Sequence, residues 1–117
     1  MKEAFINAMV TAIEGGSNFW CQELNFYGAK GEHMSYEDWF DAGVSIRVCD
    51  DEDAWTTVTR EVFFDQVKMY RPNWNRLDQY APDVGWEKYF GDEDAQYDAD
   101  DADQWLQLGI FGEVIFG

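Results

Sequence analysis

Apolar residues recur along this chain first at helical spacing, then at strand spacing, then at helical spacing again. In residues 2–14, Phe5, Ala8, Met9, Ala12 and Ile13 fall at i, i+3, i+4, i+7 and i+8, one face of a helix. Gly15-Gly16 is expected to stop that helix, because glycine takes a left-handed cap at little steric cost. Ser17 or Asn18 can cap a second short helix through Phe19, Trp20, Cys21 and Leu24. Ser35-Tyr36-Glu37-Asp38 reads as a capping box with Asp in the place of Glu, opening a turn through Trp39 and Phe40 that Gly43 closes.

The period then changes. Val44, Ile46 and Val48 alternate with Ser45, Arg47 and Cys49, the pattern of a half-buried strand. Residues 54–58 return as a second strand, so the four acids between them, Asp50, Asp51, Glu52 and Asp53, form a hairpin tip. Thr59 is expected to cap a helix with Phe63, Val67 and Tyr70 on one face, ended by Pro72. Residues 73–90 are broken by Pro82 and Gly85, yet Trp74, Leu77, Tyr80, Trp86, Tyr89 and Phe90 make them unlike a free linker. Asp98 suits the N-cap of a last helix, with Asp100 and Asp101 in its first turn and Ala102, Trp105, Leu106, Gly109 and Ile110 as its apolar stripe. The closing GEVIFG reads as a strand docking on the hairpin. The expected fold is a single α+β domain over residues 1–117, with helices packed on a small antiparallel sheet built from a central hairpin and a C-terminal strand.

Composition narrows the function. At 46% apolar and 18% aromatic, the chain can bury a core and is no disordered tail. Its formal charge is −16, unevenly spread: residues 1–59 hold 11 acids and 3 bases, residues 60–90 hold 5 of each, and residues 91–117 hold 8 acids and no base. Such a charge repels nucleic acid and anionic membrane, so direct binding to either is not expected. The natural counterpart is a basic protein or a cation. No apolar run reaches membrane-spanning length and the first residues lack a cleavable apolar core, which points to a soluble protein of the cytoplasm.

Two cysteines, Cys21 and Cys49, and one histidine, His33, make neither a disulfide framework nor a spaced metal set, and buried free thiols are expected. The acid runs do not match a calcium loop either: counted from Asp92, the required glycine is missing and position 12 is Asp103. Gly15-Gly16 follows a helix and is no phosphate loop. Ser/His/Asp or Cys/His chemistry would need His33, which lies in a polar loop. No enzyme, cofactor or metal is expected.

The stretches TAIEGGSNFWC (residues 11–21) and DADQWLQLGIFGEVIFG (residues 101–117) resemble segments of small acidic proteins of bacteriophages and mobile elements. The resemblance implies a phage-type origin and a bacterial host cell, and carries over no catalytic residue. The acidity gives a looser likeness to phage inhibitors of host defence that imitate DNA.

Candidate binding residues follow from that charge. Carboxylates three or four apart on a helix lie about 5–6 Å from one another, comparable with the phosphate repeat of a DNA strand. The densest run supplies Asp92, Glu93, Asp94, Asp98, Asp100, Asp101 and Asp103; the hairpin tip supplies Asp50, Asp51, Glu52 and Asp53, with Glu37, Asp38 and Asp41 near it in sequence. The expected function is inhibition of a host restriction, CRISPR or repair protein by occupying its nucleic-acid-binding surface. The alternative is a non-enzymatic interaction module that binds through aromatics such as Trp74 and Trp86, its acidity serving solubility alone.

Overall fold

The computed structural model describes residues 1–72, 85–92 and 97–117. The order is α1 (Lys2–Thr11) continued by a π-helical turn (Ala12–Gly16), β1 (Cys21–Tyr27), α2 (Tyr36–Ala42), β2 (Ser45–Asp50), β3 (Trp55–Thr59), α3 (Arg60–Val67), α4 (Trp86–Gly91) and α5 (Ala99–Phe111). The three strands form one antiparallel sheet in the order β1-β2-β3, against which the helices pack, so the α+β expectation holds.

The stripes read from the sequence supply much of the core. Phe5, Ala8, Met9 and Ala12 from α1, Phe63 and Val67 from α3, and Ala102, Trp105, Leu106 and Ile110 from α5 are all buried. Their rings form a continuous aromatic cluster: Phe5 lies against Trp39, Phe63 and Trp105, and Trp86 lies 5.5 Å from Trp105. Aromatic pairs of this kind add to the stability gained from their buried area. The caps at Ser35, Thr59 and Asp98 form as expected, each side chain accepting the backbone N–H three residues on.

Four expectations fail for identifiable reasons. The segment after α1 is not a helix: Ser17 to Trp20 make a tight turn, and Cys21 opens β1. Cys21 and Leu24 fit a helical period, but Leu24 and Phe26 fit a strand period equally, and pairing of Leu24 with Val48 and Phe26 with Ile46 decides it. Second, β1 rather than the C-terminus provides the third strand. Residues 112–117 form no strand, because the Gln107 side chain satisfies their backbone: its Oε1 accepts from the N–H groups of Ile115 and Phe116, and its Nε2 donates to the Phe116 carbonyl. Third, Gly15 and Gly16 are not left-handed; the left-handed glycines among the described residues are Gly31 and Gly112. Gly16 is needed for close approach, since a Cβ there would meet the Ala99 carbonyl oxygen at 2.3 Å. Fourth, the π turn adds a residue to the helical repeat and rotates Ile13 off the buried face, leaving it 39% exposed.

Helix α5 meets α3 through Gly109, where an added Cβ would lie 2.2 Å from the buried Phe63 ring. Gly109→Ala gains about 1 kcal/mol of helix propensity, but overpacking a full core costs roughly 1–3 kcal/mol. The expected result in urea unfolding is a net loss of stability, with Phe63→Leu in the same chain restoring part of it.

Candidate functional site

Asp103 organises one end of the molecule. Its Oδ1 accepts from the Ser17 hydroxyl at 2.8 Å and from the Trp20 indole N–H at 2.6 Å, and its Oδ2 accepts from the Gln107 amide at 2.8 Å. The carboxylate is buried, and these three donors are neutral, so its charge is spread over dipoles rather than cancelled by a cation. Because Gln107 in turn holds Ile115 and Phe116, the turn after α1, the start of α5 and the C-terminal tail are tied together here. Phe116 completes the junction by stacking on Trp20 at 4.9 Å with an interplanar angle of 2°.

The hairpin tip meets the residues that follow this turn. Gln22 Nε2 donates to the Asp50 carbonyl at 2.7 Å and to the Asp53 carboxylate at 2.9 Å, and Cys21 stands opposite Asp50 in the β1–β2 register. Residues 16–22 therefore abut the first turn of α5 through Gly16, Ser17 and Trp20, and the hairpin tip through Cys21 and Gln22. Two acid clusters separated by some fifty positions in sequence, Asp98 and Asp100 in one and Asp51, Glu52 and Asp53 in the other, thus adjoin residues that contact one short segment. All five are exposed. Residues 3–29 and 97–117 contain no Lys, Arg or His, and on the hairpin Arg47 lies over the Trp55 ring at 4.2 Å.

The other proposed binding residues are placed differently. Asp101 is buried, accepting from the Tyr89 hydroxyl at 2.9 Å and from the Asp98 N–H in a reciprocal capping box, so it belongs to the helix start rather than the surface. Asp103 is the buried hub. Asp50 is also buried: its Oδ1 accepts from the N–H groups of Glu52 and Ala54 and shapes the hairpin turn. Asp92 is half-buried and lines a shallow pocket with Met1, Glu3 and Glu87 at the start of α1. Trp86 is 1% exposed and cannot serve as an interface anchor. Glu93, Asp94 and Trp74 lie outside the described residues. Glu37, Asp38 and Asp41 sit on α2, where Asp41 pairs with Lys2; that hydrogen bond raises the Lys2 pKa, with Asp38 and Glu37 adding to it.

No protein-family model, curated protein or solved structure matches the chain. Its chemistry rests on its own residues. Among the described residues no three His, Cys, Asp or Glu side chains converge as a metal site, and no helix is long and apolar enough to cross a membrane.

Sequence reasoning missed the apolar side of this end. Phe19, Val114 and Ile115 are 54%, 47% and 48% exposed. Phe19 and Val114 share a groove of about 420 Å³ with Asp100, Asp103, Gln104 and Phe116. Phe19 read as helical core, and the tail read as a docked strand. The available signal was the adjacent pair Phe19-Trp20, since a tight turn cannot bury both rings; Trp20 takes the core and Phe19 is left outside.

Both thiols are free and lie beside this end. Burial pushes the Cys21 thiol up to about 11, against a backbone hydrogen bond at Glu23 that lowers it; Cys49 is raised too, first by burial and then by Asp53 and Asp50. At pH 8 the thiolate fraction of Cys21 should be about a hundredfold below that of an ordinary thiol. Slow modification by a disulfide reagent is therefore expected in the folded protein, and fast modification in urea. The folded thiol keeps its proton to about 11, whereas the unfolded one releases it near 9.0. This contribution to stability is complete below pH 9.0 and is lost as the pH rises through about 11. Cys21→Ala should flatten that alkaline loss.

Proposed function

We propose that this chain is a phage-type acidic inhibitor that occupies the basic, nucleic-acid-binding groove of a host defence protein, of the restriction, CRISPR or repair class. It acts as a DNA mimic or by blocking that groove, inside the bacterial host cell. The observation that supports this reading is that exposed acids on two separate elements, Asp98 and Asp100 at the start of α5 and Asp51, Glu52 and Asp53 at the hairpin tip, sit beside residues that contact the one segment 16–22. A groove lined by Lys and Arg to hold phosphates gains the same counterion release from a dense row of carboxylates. Uncompensated charge of this density opposes folding and contributes nothing to the core. Solubility would be served by far less.

The rival reading, an interaction module anchored by Trp74 and Trp86, loses Trp86 to the core. Its acids would have no role in binding. Capture from a bacterial lysate on the immobilised chain separates the two. A basic nucleic-acid-binding protein should be retained at about 50 mM salt, released by about 500 mM, and displaced by duplex DNA. Retention of partners indifferent to both salt and DNA would sink the proposal and favour the aromatic module.

A further inference from the structure

The groove between Phe19 and the C-terminal tail has the properties of a prepared docking surface. Phe19 and Val114 are exposed and Phe116 is half-buried, and the tail that carries two of them is held at the residues after Val114. Gln107 fixes the backbone of Ile115 and Phe116 through bonds of 2.8–3.0 Å, and the Phe116 ring is stacked on Trp20. A surface held in place before binding loses little entropy when a partner arrives. An exposed apolar patch of this kind, rimmed by polar groups, is a mark of an interaction site.

The charge around the groove selects its occupant. Asp100 is exposed on its lining, and Asp103 contributes a carboxylate whose bonded donors are all neutral. The chain segments forming it carry no base. A second copy of this chain would bring another −16, and an anionic lipid surface would be repelled. What fits is an apolar side chain with positive charge on either side of it. We infer that the groove lined by Phe19, Val114, Phe116 and Asp100 docks a segment of the partner protein in which an apolar side chain is flanked by Lys or Arg. This rests on the reading of the chain as the ligand of a basic protein and adds to it: the acids supply attraction, and the groove supplies a fixed point of attachment.

The test uses two probes, a short peptide alternating Lys and Leu and an oligolysine of equal charge, titrated into the 15N-labelled full chain. The alternating peptide should bind at least about tenfold more tightly, the worth of burying one apolar side chain, with shifts at Phe19, Asp100, Val114 and Phe116. Phe19→Ser, an exposed position, should bring the two affinities together; Val114→Ser should do the same and stands in if Phe19→Ser melts early. Asp51→Lys with Glu52→Lys should weaken both peptides and leave their ratio unchanged. Equal affinities for the unaltered chain, or shifts confined to other surfaces, would overturn the inference. So would self-association of the chain that Phe19→Ser abolishes, which would assign the groove to a second copy. The peptide ratio does not depend on host capture, so each can fail without the other.

Discussion

Asp103→Ala is expected to destabilise the fold by on the order of 4 kcal/mol in urea unfolding, because it strands three donors that the wild-type carboxylate satisfies. Each buried donor left without a partner costs about 1–3 kcal/mol, and a domain of this size holds only about 5–15 kcal/mol in total. Asp103→Asn is the informative companion. If its oxygen keeps the bonds to Ser17 and Trp20, its NH2 must face the Gln107 NH2, donor against donor. Gln107 cannot flip to relieve this, since its oxygen already accepts from Ile115 and Phe116. A smaller loss of about 2 kcal/mol is expected, together with faster proteolysis of the C-terminal tail that Gln107 holds. Asp100→Ala, one turn away but exposed, should change stability by less than about 1 kcal/mol.

Asp51→Lys, Glu52→Lys and Asp100→Lys together should weaken partner binding by at least about a hundredfold while leaving the fold intact. All three side chains are exposed. The cost to the fold is confined to an unfavourable cation in the first turn of α5, about 0.3–1 kcal/mol. Three reversals change the net charge from −16 to −10, so a control must separate total charge from position. The control makes the same change elsewhere: Glu37→Lys, Glu61→Lys and Asp65→Lys, on α2 and α3. That variant should bind nearly as well as the unaltered chain. Equal losses in the two variants would show that only net charge matters and that this end has no special part.

The sequence foretold the fold where a single period dominates. The stripes of α1, α3 and α5, the hairpin, and the caps at Ser35, Thr59 and Asp98 rest on local chemistry that tertiary contacts did not override. It misled where a side chain took over a role that pattern assigns to backbone. Ser17 looked like an N-cap, but its hydroxyl goes to Asp103, eighty-six positions away in sequence. Residues 112–117 looked like a strand, but their partner is the amide of Gln107. A run of acids gives no local sign of which members turn inward. Asp101 and Asp103 are buried in bonds to Tyr89, Ser17, Trp20 and Gln107, while Asp98 and Asp100 between them and the acid run stay exposed. That both exposed clusters adjoin residues 16–22 was likewise illegible, because it depends on Gln22 and Gly16, neither of which carries charge.

The central claim is that carboxylates at this end replace the phosphates of a nucleic acid on a basic partner. Its most direct test is the affinity for the captured protein measured at several salt concentrations between about 50 and 500 mM. The account predicts a steep linear fall of log affinity with log salt, made shallower by Asp51→Lys, Glu52→Lys and Asp100→Lys, with duplex DNA competing throughout. An affinity that stays level across that range, or that DNA leaves unchanged, would contradict it.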